Sequence, residues 1–113
     1  MSSRRSPRPS LPPKERGLYS KVRQLLDEPG LLRGNLVEVR RLCGKPTCRC
    51  RQDPALRHRA LYLGISLEGK HRMIYIPADW EERVQEWVAR YAKVQDVLEQ
   101  ISRMGLSRLK ERE

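Results

Sequence analysis

Three cysteines, Cys43, Cys48 and Cys50, lie within eight consecutive residues, and a histidine, His58, follows them. Thiolate sulfur and imidazole nitrogen are the usual ligands of structural zinc, which takes four of them in a tetrahedral arrangement. Ligands so close in sequence lose little chain entropy when they converge. We therefore predict a structural Zn2+ site formed by Cys43, Cys48, Cys50 and His58.

The residues around the cysteines agree with a closed site rather than a catalytic one. Gly44 and Pro46 favour a turn that lets the cysteines face one another. Asp53 is the only carboxylate between the first cysteine and the histidine, whereas a catalytic metal needs an open position and a nearby base. Two alternatives remain open: the cysteines are ordinary loop residues, or the fourth ligand is His71 instead of His58.

The net charge of +10 is unevenly distributed along the 113 residues. Residues 1–79 carry seventeen Lys or Arg and seven Asp or Glu, whereas residues 80–113 carry seven of each. A surplus of one sign attracts polyanions, and contacts with phosphates release counterions. Nucleic acid is the favoured partner; an anionic membrane surface and simple solubility are the alternatives. The predicted nucleic-acid-binding residues are Arg40, Arg41, Lys45, Arg49, Arg51, Arg57, Arg59, Lys70 and Arg72.

The hydrophobic pattern predicts the N-terminal part and the sheet. Residues 1–14 are rich in Ser, Pro and Arg, which indicates a disordered basic arm, and residues 15–28 show helical spacing that ends at a Pro-Gly pair. Strands follow in residues 35–77, where Glu68 and Gly69 are predicted to form a two-residue hairpin turn. That register places five core residues on one face of the sheet: Leu61, Leu63, Ile65, Ile74 and Ile76.

The opposite face of the hairpin carries Tyr62 and Tyr75 as a cross-strand pair. Two outcomes are open for them: the pair is a stacking platform for unpaired bases, or it packs beneath one of the helices.

A long helix is predicted for residues 79–104, with Asp79 and Glu82 as a capping box. Its apolar residues recur in a heptad pattern that Gly105 interrupts. At 1.5 Å per residue the helix would be about 39 Å long, more than a strand of about six residues can cover. Its second half packs either on the N-terminal helix or on a second copy of the chain. The predicted packing residues are Val84, Trp87, Tyr91, Val94, Leu98 and Ile101.

Together these elements predict an α+β fold: a small three-stranded antiparallel sheet with a zinc-binding loop, a short N-terminal helix and a long C-terminal helix. Residues 15–113 would form a single zinc-stabilised domain that ends in a frayed tail to residue 113. The sequence shows neither a signal-peptide pattern nor the roughly 20 apolar residues that a membrane span needs. We expect a cytoplasmic protein, and the clustered cysteines suit a reducing compartment.

The cysteine motif resembles that of an uncharacterised family of small bacterial proteins, known only as a domain of unknown function. The likeness rests on the string CGKPTCRC from Cys43 to Cys50, on DPALRH ending at His58, on Gly69-Lys70 and on a helix containing Trp87. It covers roughly residues 30–105. In that family the histidine is usually the first residue of a His-Gly-Pro-Tyr segment, whereas residues 58–62 of this chain are His-Arg-Ala-Leu-Tyr. The resemblance to proteins encoded near mobile genetic elements favours DNA over RNA as a partner.

The leading functional hypothesis is a small zinc-stabilised nucleic-acid-binding protein with an accessory or regulatory role. The alternative is a protein-interaction subunit that docks or dimerises through its long C-terminal helix and has no nucleic-acid role. An enzyme is not expected, because no pairing of a nucleophile with a base and no phosphate-cradling glycine loop stands out.

Overall fold

The structure, a computed structural model, describes residues 11–42, 44–53 and 58–112, and of Cys50 it describes the backbone alone. The predicted α+β class is confirmed: a short N-terminal helix, a three-stranded antiparallel sheet of order β1-β2-β3 and a long C-terminal helix. The elements are α1 (Pro13–Leu25), β1 (Asn35–Arg41), β2 (His58–Leu67), β3 (Lys70–Ile76) and α2 (Glu81–Glu111), with 3-10 turns at Arg49–Arg51 and Ala78–Trp80.

Residue contacts divide the chain into two compact units, where the sequence predicts one domain. The first unit comprises Met1–Pro29 and Lys93–Glu113, and the second comprises Gly30–Ala92. The second unit therefore contains the whole sheet and the cysteine loop. Neither helix of the described part of the chain has an apolar stretch long enough to span a membrane.

The hairpin of β2 and β3 has the predicted register. Leu67 pairs with Lys70 and Leu63 pairs with Ile74. The turn residues Glu68 and Gly69 have φ angles of 51° and 79°, as a two-residue turn compatible with the right-handed strand twist requires. This turn fixes which side chains of β2 and β3 share a face of the sheet.

The core of the sheet unit lies on one face of β2, between the sheet and the first part of α2. Leu61, Leu63 and Ile76 are at most 5% exposed, and Val84 of α2 packs with them. Ile65 completes this cluster. The prediction that Ile74 is a core residue is wrong: its side chain lies on the same face but is 47% exposed. Ile74 lies on the edge strand β3 and is not part of the core cluster with Val84, whereas Ile76, at the end of β3, belongs to that cluster.

The first unit contains α1 and the second half of α2. Of the two partners predicted for that half, the N-terminal helix and a second copy of the chain, it is therefore the N-terminal helix that lies in the same unit. Val94 and Val97 are buried there. Glu15, in the first turn of α1, is 3% exposed and accepts a hydrogen bond from Arg108 of α2. A buried carboxylate is tolerated when such a charged donor compensates it. The predicted disordered arm lies mostly outside the described residues, and α1 begins two residues earlier than predicted, at Pro13.

Helix α2 differs from the prediction at both ends. It begins at Glu81, after a 3-10 turn, instead of at Asp79, and it continues through Gly105 to Glu111 instead of ending at Met104. A glycine inside a helix costs only about 1 kcal/mol relative to alanine, and five of the six residues from 106 to 111 are strong helix formers. The predicted frayed tail is therefore helical as far as Glu111.

Five of the six predicted packing residues of α2 are buried or partly buried, and Leu98 is the exception. Val84 and Val94 are buried, but Leu98 is 50% exposed and its neighbour Val97 is buried instead. Trp87, Tyr91 and Ile101 are partly buried. A heptad pattern assumes one partner along the whole helix, whereas the two halves of α2 bury their side chains in different units.

An ionic cluster stabilises the sheet unit near the end where β1 finishes and β2 begins. The guanidinium of Arg59 in β2 donates hydrogen bonds to Glu38 of β1 and, at 3.0 Å, to Oε1 of Glu81 in α2. Nε of Arg40 lies 3.8 Å from Oε2 of the same Glu38. The hydrogen bond with Glu38, and next that with Glu81, raise the pKa of Arg59 above its ordinary value. The cluster links two strands to the start of α2.

We predict that Gly30→Ala destabilises the protein by more than about 1 kcal/mol. Gly30 has a φ of +106°, and a Cβ atom there would lie 2.0 Å from Nε1 of Trp87. Its carbonyl also accepts a hydrogen bond of 2.6 Å from Arg90. Urea denaturation measures the loss.

The matched control is Gly17→Ala in α1, where an added Cβ has no atom within 4 Å. Alanine is the better helix former, so this variant should be as stable as the parent or more stable by up to about 1 kcal/mol. Equal stability of the two variants would contradict the described packing of Gly30 against Trp87.

We predict that Arg59→Ala lowers the melting temperature, because Glu38 and Glu81 lose their shared cation. A raised pKa means that the arginine contributes its full stabilisation at neutral pH and loses it only in strong alkali. The difference in melting temperature from the parent should therefore be the same at about pH 6 and about pH 9. Arg72→Ala, on the exposed edge strand, is the control and should change the melting temperature little. An equal decrease in melting temperature for both variants would contradict the stabilising role of the ionic cluster.

Candidate functional site

Two of the four predicted zinc ligands lie next to each other. Sγ of Cys48 is 3.4 Å from Nε2 of His58. His58 is the first residue of β2 and pairs with Arg41 at the end of β1, so the contact lies at one end of the sheet. Cys43 is outside the described residues, and the side chain of Cys50 is not described.

Local hydrogen bonds hold Cys48 in a compact loop. The Cys48 N–H donates to the carbonyl of Lys45 at 3.2 Å, and the Arg51 N–H donates to the carbonyl of Cys48 at 3.2 Å. The Arg51 side chain adds a bond of 3.4 Å from Nε to the same Lys45 carbonyl. The loop residues 44–53 thus form a tight turn and a 3-10 turn, which position the Cys48 backbone beside the start of β2.

The separation of Cys48 and His58 suits two chemistries. Zinc bonds of about 2.3 Å to sulfur and about 2.0 Å to nitrogen, at a tetrahedral angle, put these two atoms roughly 3.5 Å apart. A thiol–imidazole hydrogen bond has a similar length. Among the described side chains, no three His, Cys, Asp or Glu residues cluster as a metal site, but two of the predicted sulfur ligands are not part of that set.

His71, the alternative fourth ligand, lies at the opposite end of the sheet. It pairs with Ser66, eight residues after His58 in β2, and at about 3.3 Å per residue this is roughly 26 Å away. Of the two histidines, His58 is the one at the cysteine loop.

The sheet face opposite the core, called the open face below, carries an aromatic and cationic group beside this contact. Tyr62 of β2 and Tyr75 of β3 are cross-strand partners whose ring centroids are 5.7 Å apart at an interplanar angle of 70°. The guanidinium carbon of Arg41 is 5.7 Å from the centroid of the Tyr62 ring. Tyr75 is 54% exposed. Since Val84 packs on the other face, the first part of α2 does not cover the tyrosines.

A shallow concavity of about 570 Å³ joins the loop to the open face. Its volume lies within the range of sites that hold small organic ligands. Leu42 and Gly44, the two sequence neighbours of Cys43, are among its lining residues. The full lining is Arg41, Leu42, Gly44, His58, Arg59, Ala60, Tyr62 and Tyr75.

The nine predicted basic residues do not form one surface. Arg41 lies on the open face, and Lys45, Arg49 and Arg51 are exposed on the adjacent loop. Arg40 and Arg59 lie on the core side of the sheet, where they pair with carboxylates. Strand alternation separates these two groups.

Two of the remaining three basic residues, Lys70 and Arg72, are not at the loop. Lys70 and Arg72 are near the hairpin turn, opposite Leu67 and Ile65 in the strand register and therefore far from the loop. Arg57 is outside the described residues. Among the described residues, the predicted cluster is thus reduced to Arg41 and the loop residues Lys45, Arg49 and Arg51.

Sequence reasoning missed the role of Glu38 and Glu81 in neutralising Arg59. The register of β1 against β2 pairs Arg40 with Arg59 and Glu38 with Leu61, so Glu38 and Arg59 share a face. A predicted register for β1 would have revealed this pair, but β1 is joined to β2 by the long cysteine loop, which fixes no register.

Comparison with known proteins gives one result. A family model described as "Domain of unknown function (DUF6788)" matches residues 15–86, from the first turn of α1 to the start of α2. No curated protein and no solved structure matches the chain. The family model spans more than half of the 113 residues and includes the sheet, the cysteine loop and the open face. The chain therefore belongs to the DUF6788 family.

Proposed function

We propose that this protein binds nucleic acid through the open face and the cysteine loop, and that Zn2+ stabilises this loop. The observation that carries the proposal is the position of the Arg41 guanidinium beside Tyr62, at the same end of the sheet as the contact between Cys48 and His58. An exposed cation next to an aromatic ring offers both a phosphate contact and a stacking surface. The role is accessory or regulatory.

The proposed zinc ligands are Cys43, Cys48, Cys50 and His58. The donor set suits zinc, and the separation of Cys48 and His58 agrees with shared coordination. The loop has little apolar cover: Leu42 is 44% exposed, and loop residues 44–47 are exposed as well. A metal cross-link supplies the stability that such a segment does not obtain from burial.

A Cys–His contact is also the arrangement of an activated nucleophile and its base. We assign the contact to a metal because two further cysteines stand five residues before and two residues after Cys48 in the sequence. A catalytic thiol needs no such neighbours, whereas a closed tetrahedral zinc site requires them. No enzymatic activity is proposed.

The electrostatic argument supports nucleic acid as the partner class. The net charge is +10, and its excess lies in residues 1–79. Arg41, Arg49 and Arg51 present exposed guanidinium-bearing side chains around the open face and loop, and guanidinium groups match phosphate geometry. DNA is the favoured form, on the resemblance described above.

Protein docking through α2 is the second candidate, and one observation favours it. Leu98, Leu106 and Leu109 are 50–56% exposed and lie within about 80° of one another on the helix surface, at 100° per residue. Exposed leucines on one helix face are typical of helix-mediated contacts with another protein or a second copy. A sedimentation measurement that finds only monomer and no partner-bound form would remove this candidate.

We predict that protein purified without chelator contains about one equivalent of zinc. Cys48→Ser and His58→Ala should each bind much less metal and should unfold at a lower temperature, because metal binding and folding of the loop are coupled. Elemental analysis and thermal denaturation measure the two effects.

The matched control for His58 is His71→Ala, at the far end of the sheet, which should keep its zinc. Less than about half an equivalent in the parent protein would refute the site. Loss of metal from the His71 variant, but not from the His58 variant, would reassign the fourth ligand.

We predict binding to nucleic acid at about 50 mM salt, with an affinity that falls at least tenfold by about 200 mM salt as counterion release is suppressed. Arg41→Ala should weaken the binding and reduce the salt slope, because one phosphate contact is lost. Fluorescence anisotropy with labelled oligonucleotides measures both. Arg72→Ala, near the hairpin turn, is the control and should bind as the parent does. Absence of binding to duplex DNA, single-stranded DNA and RNA at low salt would overturn the proposal.

A further inference from the structure

We infer that the concavity on the open face holds an unpaired nucleotide, with the base against Tyr75 and Tyr62 and the phosphate at Arg41. The protein would accordingly prefer single-stranded to duplex nucleic acid. This inference rests on the proposed nucleic-acid binding and adds the class of substrate.

The geometry of the tyrosine pair supplies the stacking surface. An interplanar angle of 70° means that the rings meet edge to face. In such a pair, the ring that presents its edge has neither face covered by its partner, and the other ring has one face uncovered. Tyr75 is more than half exposed and lies on the edge strand. An aromatic ring in this position stacks on any base, because every base has a π face.

Arg41 supplies the cation on the same concavity. Its guanidinium is next to Tyr62, and Tyr62 is next to Tyr75, so the three groups form a row across the open face from β1 to β3. The row runs across all three strands of the sheet. A nucleotide has its phosphate at one end and its base at the other, and it can contact Arg41 and Tyr75 simultaneously.

The electrostatic pattern around the concavity favours a single strand over a duplex. A duplex presents its phosphates on the outside and keeps its base faces covered by their neighbours, so it cannot use a tyrosine for stacking unless a base is extruded. It would depend on a broad basic surface instead. Of the arginines near this end of the sheet, Arg40 and Arg59 have their guanidinium groups paired with Glu38 on the core side, although Arg59 also contributes to the lining of the concavity. The positive charge left for a ligand is a narrow strip that suits the backbone of one strand.

The test compares three labelled oligonucleotides of one sequence, about twelve nucleotides long: single-stranded DNA, single-stranded RNA and duplex DNA, at about 50 mM salt. The parent protein should bind both single strands, or one of them, about tenfold or more tightly than the duplex. Tyr75→Ala should weaken single-strand binding about tenfold, the scale of one lost base–aromatic stack, and should leave duplex binding unchanged. Tyr75→Phe keeps the ring and should bind as the parent does.

Tyr19→Ala is the matched control, because Tyr19 is also an exposed tyrosine, at 38%, but lies in α1. It should not alter binding to any probe. Circular dichroism and melting temperature establish that each variant is folded; Tyr75 is exposed, so its truncation should cost little stability.

The outcomes separate this inference from the proposed function. Equal affinity for single strands and duplex, with no effect of Tyr75→Ala, would overturn the single-strand inference and leave nucleic-acid binding in place. No binding to any of the three probes would overturn both. Tighter binding of a single strand than of the duplex, lost in Tyr75→Ala, supports the inference, and a preference between single-stranded DNA and RNA then identifies the sugar.

Discussion

The alternation of side chains along β2 is the constraint on which the rest of the structure depends. Residues two apart share a face of a strand, so the register that buries Leu61 and Leu63 also sends His58 and Tyr62 to the opposite face. A shift of one residue would exchange the two sets and expose the core. Burial under α2 therefore fixes the direction of the side chains of the proposed site, although these side chains take no part in the core.

The same constraint explains why the cysteine loop and the open face act as one site in our proposal. β1 ends and β2 begins at the pair Arg41 and His58, so the loop between them starts and finishes at one end of the sheet. Cys48 turns back to contact His58. In this account the metal does no chemistry. It fixes a polar loop beside an arginine and two tyrosines that the strand register has already placed.

Much of the fold could be predicted from the sequence, because its signals are local. The hairpin register followed from Glu68-Gly69, whose two positive φ angles suit a two-residue turn. The exposure of Leu98, the buried pair of Glu15 with Arg108, and the neutralisation of Arg59 could not be predicted. Each depends on residues far apart in sequence, and for β1 no tight turn sets the register. Cys48 and His58, which the sequence predicts as ligands of one metal because their spacing is short, lie in contact; their binding of a metal stays a prediction.

In the structure that we propose, a zinc ion bound through His58 and three cysteines holds the loop beside the open face. X-ray absorption at the zinc edge of the purified protein tests this coordination most directly, because it reports the atoms bonded to the metal. The account predicts a first shell of three sulfur atoms at about 2.3 Å and one imidazole nitrogen at about 2.0 Å. A shell of oxygen and nitrogen alone, without sulfur, would contradict it.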